Sequence, residues 1–539
     1  MGEKVARWLS ILLCALALHA QEARLQVLST TDVHGHIMPE DTYTLQPANQ
    51  GWAKLATLIK DLRTANPNTL VIDGGDATQG EPINYVWARL KNDAPEPDTA
   101  VMNLLGYTAM VVGNHEFDAG FARLRAMEEQ AQFPWLAANV LFATTGKPVF
   151  TPYLKVETGG VSVAILGLTT GAMARLTDPA SIDGLRFQDP VATARTLIPL
   201  LREKEKVDLV VVVLHGGLGK LPCGPDDENQ ALGLSQVPGI DLILAGHSHQ
   251  QLVTERDGVP ILQAGVNGQA VGVADFLLKK VKGRWQVESH QTRLVQVTND
   301  TLPDPAVIQA TAPLRALADG YLNTFATNLG IDLDGRWCCM EDTALMRLLH
   351  TVTRRATGAQ ITAATPPGSH VFIPRGPTSV RQFYALVPGE QHLARIQVTG
   401  AQLKAYLEHA ARFFNLSHQP DLFNRSMAPA DFDTLDGCTY VLDLTRPVGS
   451  RILDLKVAGK PVQDDQRLSL GLPAQRLAGE GGYLEAMGWV GKADLVTPES
   501  ERNLLLDYVL SRPTLEPSAA EVWHTVPALD RERVLAQEP

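Results

Sequence analysis

Five short polar motifs lie in the first half of the chain, and each follows an apolar, strand-like run. They read Asp32-Val33-His34, Gly75-Asp76, Gly113-Asn114-His115-Glu116, His215-Gly216-Gly217 and Gly246-His247-Ser248-His249. Asp, Asn and His are hard and borderline ligands suited to divalent cations. Brought from five strand ends to one place, they can hold two cations side by side, an arrangement that turns water against phosphate esters.

The residue types divide the work. Asp32 and His34 are two apart, so on a turning segment both side chains can grip one cation. Asp76 follows two glycines and has two oxygens with which to bridge a pair of cations. Asn114 offers a neutral amide oxygen, and His215, His247 and His249 complete seven ligands. His115 is placed to touch a phosphate or a leaving oxygen rather than a cation. Asp118, three residues on, can orient its imidazole as a carboxylate–histidine pair. His36 reads as a neighbour of the site, not a ligand. Taken singly, most of these motifs read better as ordinary turns than as metal sites. Their order behind five strand runs is what joins them.

The elements that must position them alternate. Strand-like runs fall at Arg24–Ser29, Thr69–Ile72, Ala109–Val112, Val161–Leu166, Asp208–Leu214 and Asp241–Leu244. Helix-like stretches lie between, at Trp52–Arg63, Phe121–Gln130 and Val191–Glu205. This is the signature of a layered α/β domain, whose ligands gather at the carboxyl ends of strands. A proline-opened helix within 301–330 reads as a connector to a second domain at 331–515. That domain mixes helices (Glu341–Arg355, Gly400–Phe414) with strands (Leu393–Val398, Thr439–Asp443, Arg451–Val457). Residues 516–539 read as a loosely packed polar tail.

The whole chain has 539 residues, too many for one core. Its formal net charge of −12 argues against charge-driven binding of a nucleic-acid polymer. Lys4, Arg7 and the apolar Trp8–Leu18 read as a secretory signal over residues 1–20, too short to span a bilayer. Nothing later in the sequence is long and apolar enough to be a span, so the expected location is periplasmic or secreted. Disulfides can form there. Cys223, Cys338, Cys339 and Cys438 would then remain, with three possible connectivities and no zinc-like spacing.

On these motifs the chain resembles the calcineurin-like metallophosphoesterases. More narrowly it resembles the 5′-nucleotidase family, which includes periplasmic bifunctional 2′,3′-cyclic-nucleotide 2′-phosphodiesterase/3′-nucleotidases. The motifs D-x-H, G-D-x-x-Q-G, G-N-H-E-F-D, H-G-G and G-H-S-H fall on Asp32/His34, Gly75–Gly80, Gly113–Asp118, His215–Gly217 and Gly246–His249. The resemblance implies an N-terminal four-layer α/β/β/α domain at 21–300 and a C-terminal α+β nucleotide-binding domain. It implies two divalent metal ions (Zn, Mn, Fe or Co), Asp76 as bridge, and a His115–Asp118 catalytic dyad. The substrate would be a nucleotide or cyclic nucleotide, and the chain a monomer.

In the second half, Ser379–Tyr384, Val398–Leu403, Asp431–Gly437 and Gly481–Tyr483 match family segments. By that likeness Phe432 and Tyr483 would sandwich a nucleobase. The chain departs from the family at Thr365–His370, which lacks an arginine, so Arg375 or Arg381 would stand in at the phosphate or sugar. It departs again at Gly389-Glu390-Gln391. A second reading, a thiosulfohydrolase-like sulfur-compound hydrolase, is disfavoured by the two candidate stacking rings. A third is a catalytically silent nucleotide-binding protein. It is disfavoured because every ligand position holds a competent residue.

Overall fold

The computed structural model describes residues 22–89, 94–177, 179–387, 389, 391–477, 479–517 and 522–537. The proposed signal, Cys14 and Glu390 lie outside them. The chain divides into two compact units at Leu317/Ala318, inside the helix Pro305–Leu322.

Twelve strands build the sandwich of the first unit. They are β1 (Glu22–Thr30), β2 (Thr69–Asp73), β3 (Ala109–Val111), β4 (Trp135–Leu136), β5 (Tyr153–Thr158), β6 (Val161–Thr169), β7 (Leu209–His215), β8 (Leu242–Ala245), β9 (Gln251–Arg256), β10 (Val259–Ala264), β11 (Ala270–Val281) and β12 (Arg284–Gln296). One six-stranded sheet runs β12-β11-β1-β2-β3-β4 and the other β9-β10-β8-β7-β6-β5. The central strands β1, β2 and β3 are parallel in the first, and β6, β7, β8 and β10 in the second.

β7 shows why. Its sequence, LVVVVLH, is buried at every position, and a β-branched run buried on both faces suits a central parallel strand. Val211 and Val213 face Leu25, Val27 and Ile72 of the other sheet in one apolar layer. Val210, Val212 and Leu214 pack outward on the helix Pro190–Pro199 and its neighbours. Each such side chain contributes about 1.5–3 kcal/mol on burial. On the far face of the first sheet, helix Trp52–Ala65 buries Trp52, Leu55 and Ile59. The four layers α/β/β/α are therefore present.

The second unit is α+β. Its five-stranded sheet runs Thr434–Asp436, Ile361–Ala364, Arg467–Pro473, His392–Thr399, Leu495–Ser500. At the end of His392–Thr399 a capping box starts the helix Gly400–Ala410: Gln402 N donates to Thr399 Oγ1 and Thr399 N to Gln402 Oε1.

Two expectations change. The terminal segment is not a loose tail. Trp523–Val526 pairs in parallel with Thr439–Asp443, Trp523 is 3 % exposed, and Val534 of helix Arg531–Ala536 is buried in the same core. Its few apolar residues were enough to dock it. The four cysteines of the described residues are all unpaired thiols. No helix among the described residues is long and apolar enough to cross a membrane.

Candidate metal centre

Each motif sits where its strand stops. Asp32 and His34 follow β1, Asp76 follows β2, and Asn114 and His115 follow β3; His215 is the last residue of β7, and His247 and His249 follow β8. The backbone turns sharply there. Asp32, His34, Asp76, His247 and His249 all have φ between +52° and +69°. Non-glycine residues in this left-handed region cost energy and cluster at functional sites. The loops also crowd one another. A Cβ on Gly113 would lie 2.2 Å from Asp76 Oδ1, and one on Gly246 2.4 Å from Thr31 Oγ1.

The side chains converge in two groups, Asp32/His34/His249 and Asp76/His215/His247, with the ligand atoms of each group within 4.8 Å of one another. In the first, His34 Nδ1 lies 2.9 Å from Gln79 O and its Nε2 3.1 Å from His249 Nε2, which is 3.7 Å from Asp32 Oδ1. In the second, His215 Nδ1 lies 2.8 Å from Gly74 O. A carbonyl only accepts, so Nδ1 donates and Nε2 is turned inward. There it meets Asp76 Oδ2 at 3.0 Å and Asn114 Oδ1 at 3.1 Å. Asp76 Oδ2 is buried and turned to that same nitrogen.

These residues fit divalent cations. Carboxylate, amide and imidazole acceptors converge with too few donors among them, which a metal ion satisfies and a closed polar core does not. The electrostatics agree. Burial pushes His34 down to about 3 and His249 to about 4, so both imidazoles are held neutral, the form that can coordinate a cation. Burial lifts Asp32 to about 7. Burial opposes charge on His215 as well, yet Asp76 and Asp32 hold it up at about 9. That proton stands between the acceptors where a cation can.

His115 is set apart. Its Nδ1 lies 2.8 Å from Asp118 Oδ2, and its ring is 5.4 Å from that of His34. Burial lowers its basicity, but Asp118 and Asp76 outweigh burial and raise it to about 10. Its backbone N–H donates to Asp76 Oδ1 at 2.9 Å. His36 is occupied by Val33 O and Glu81.

Two carboxylates go beyond the sequence reading. Glu116, fully buried, accepts the backbone N–H groups of Asp76, Ala77, Thr78 and Gly113, tying the second motif to the third. Its place in Gly-Asn-His-Glu was the available signal. Glu228 lies 2.5 Å from His247 Nε2, and nothing in its local sequence marks it.

The second-unit expectations fare differently. Phe432 and Tyr483 are 3 % and 0 % exposed. Phe432 stacks on Phe413 at 4.9 Å and lies against Phe414 and Trp523. Tyr483 packs on Tyr406 at 4.3 Å and under Arg476 at 4.8 Å, while its hydroxyl donates to Asp431 O. Both rings are core, and neither presents an open face to a base. Arg381 is buried and bonds Asp319 and Asn323, so its guanidinium is a structural tie within the unit. Arg375 is exposed, and its backbone N–H donates to Asp332.

A two-sheet sandwich with paired Asp/His groups at its strand ends defines a metallophosphoesterase. Residues 25–251 match the family model of calcineurin-like phosphoesterases, and residues 322–487 that of the 5′-nucleotidase C-terminal domain. The chain belongs to the calcineurin-like phosphoesterases, in the branch that carries a 5′-nucleotidase C-terminal domain. It is 27% identical over 580 residues to a 2′,3′-cyclic-nucleotide 2′-phosphodiesterase/3′-nucleotidase of Yersinia enterocolitica, covering 93% of this chain and 88% of the relative. It is 26% identical to the trifunctional nucleotide phosphoesterase YfkN of Bacillus subtilis over 96% of this chain, but spans only 40% of that protein. The crystal structure of a putative 5′-nucleotidase from Staphylococcus aureus superposes with a TM-score of 0.80 at 21% identity, covering 93% of this chain and 100% of the other. That likeness is one of fold.

Proposed function

We propose that this chain is an exported phosphohydrolase that releases phosphate from nucleotides, with two divalent cations held by Asp32, His34, Asp76, Asn114, His215, His247 and His249. The observation that carries the reading is the convergence of two ligand groups, each within 4.8 Å, at the strand ends of a metallophosphoesterase sandwich. When bound, zinc, manganese, iron or cobalt would lower the pKa of water and place positive charge at the phosphoryl oxygens.

The chain's own residues do the rest. Asp76 would help to hold both cations: its Oδ1 is fixed by the His115 N–H and its Oδ2 is turned to His215. His215 and His34 each anchor Nδ1 on a backbone carbonyl and so keep Nε2 aimed at the ligand groups. Asp118 orients His115, whose ring stands beside His34 where a phosphate or leaving oxygen would sit. Glu116 holds the two loops that carry Asp76 and Asn114 in register.

A nucleotide substrate is supported by the 5′-nucleotidase C-terminal domain and by the names of the Yersinia and Bacillus relatives. Export is supported by Lys4, Arg7 and the apolar run to Leu18. The test is a panel of AMP, 3′-AMP, 2′,3′-cyclic AMP and a thiosulfate ester, run on metal-stripped and Mn²⁺-restored enzyme. Phosphate release from at least one nucleotide, appearing only with the cation, is expected. Turnover of the sulfur ester alone, or of nothing with any cation, overturns the reading.

A further inference from the structure

The loop between the fourth and fifth motifs doubles back over both. Asn229 accepts the Gly217 N–H at 2.6 Å, and the Glu228 carbonyl accepts the Thr170 hydroxyl at 3.0 Å. A Cβ on Gly217 would lie 2.4 Å from Ser248 Oγ, so the two motifs are in direct contact under this loop. Glu228 then reaches His247, with Oε1 2.5 Å from Nε2.

We infer that Glu228 is a positioning residue for the second cation, fixing the ring and tautomer of His247. An ionised carboxylate can only accept, so His247 Nε2 must carry the hydrogen. A neutral imidazole donating there has its lone pair on Nδ1, which would then be the atom His247 offers to the group with Asp76 and His215. His34 and His215 do the reverse, donating Nδ1 to a main-chain carbonyl and keeping Nε2 inward. On His247 the backbone N–H donates to both Asp32 oxygens at 3.0 and 2.9 Å, which ties its loop to the first motif. A side-chain carboxylate from the neighbouring loop supplies the outer contact instead. Adjacent residues, Glu228 and Asn229, thus brace the G-H-S-H and H-G-G motifs together.

The inference rests on reading the paired groups as cation sites. The competing account is a surface ion pair: the Glu228 side chain is 41% exposed, and such pairs contribute little to folding. Metal affinity separates the two. Mn²⁺ is titrated calorimetrically into the metal-stripped full chain, which is expected to show two sites. Glu228→Ala should weaken one site about 10–100-fold and leave the other unchanged. Glu228→Gln, which keeps an acceptor oxygen, should recover part of the loss, and the melting temperature of the stripped protein should not move. His247→Ala should abolish the same site. If His247→Ala loses a site while Glu228→Ala binds both ions like the parent, the positioning role is wrong and the cation reading stands. If the parent binds no Mn²⁺, or His247→Ala binds both ions normally, the cation reading itself falls.

Discussion

The ligand loops of the first unit and the Asp433–Arg476 centre of the second are both buried and polar, yet they are built on opposite principles. Asp433 receives Thr365 Oγ1 at 2.6 Å, the Tyr406 hydroxyl at 2.5 Å, and Arg476 Nε and Nη2 at 3.0 and 2.8 Å. Its charge is answered within the fold, and two rings expected to bind a base, Phe432 and Tyr483, are packed around it or beside it as core. In the first unit, His215 Nε2, Asp76 Oδ2 and Asn114 Oδ1 face one another with one proton among them. A polar cluster closed on itself specifies architecture; one whose converging acceptors outnumber its donors is organised to bind a cation.

Breaking the open cluster should cost activity far more than stability. Asp76→Asn removes the bridging charge and should lower kcat by about 10³-fold, several kcal/mol of transition-state stabilisation, with little change in melting temperature. A steady-state assay under saturating Mn²⁺ checks it. His115→Ala should cost about 10²-fold in kcat while both cations stay bound, which activity and metal stoichiometry measured on one sample will show.

Breaking the closed cluster should do the reverse. Phe432→Ala should destabilise the chain by about 3–5 kcal/mol as a core truncation, seen as a fall in melting temperature. A raised KM at unchanged melting temperature would return Phe432 to base recognition. Stripping the cations should destabilise the parent by about 2.7 kcal/mol per site when the free ion stands at 100 times that site's Kd, seen as a fall in melting temperature.

A pH-dependent effect belongs to the second unit alone. Burial holds Glu501 up at about 7, with Gln391 donating to its Oε2 at 2.8 Å. The folded state therefore keeps a proton that the unfolded chain, near 4.5, gives up earlier. Stability from this group is full below about pH 4.5 and is lost as pH rises through about 7. Glu501→Gln should flatten that slope in melting temperature measured from pH 5 to 8.

This contrast also shows what the sequence could tell. That Asp32, His34, Asp76, Asn114, His215, His247 and His249 converge was legible because charged and polar residues at the end of an apolar strand have no packing reason to be there. The strand runs themselves were legible for the same reason: Leu209–Leu214 can hardly be anything but buried. Phe432 and Tyr483 were not, because an aromatic ring obeys the same pattern whether it stacks on a base or on Phe413. Glu228 was hidden because its partner, His247, lies nineteen residues away across a loop whose path no local pattern sets. The docking of Trp523–Val526 depended on a parallel pairing with Thr439–Asp443, a contact between distant segments.

The central claim is that the strand-end ligands hold a pair of cations. Anomalous diffraction from Mn²⁺-loaded crystals tests it most directly. Two peaks about 3.5–4 Å apart are expected, one within bonding distance of Asp32, His34 and His249, the other of Asn114, His215 and His247, with Asp76 touching both. Peaks elsewhere on the molecule, or none at these residues, would contradict it.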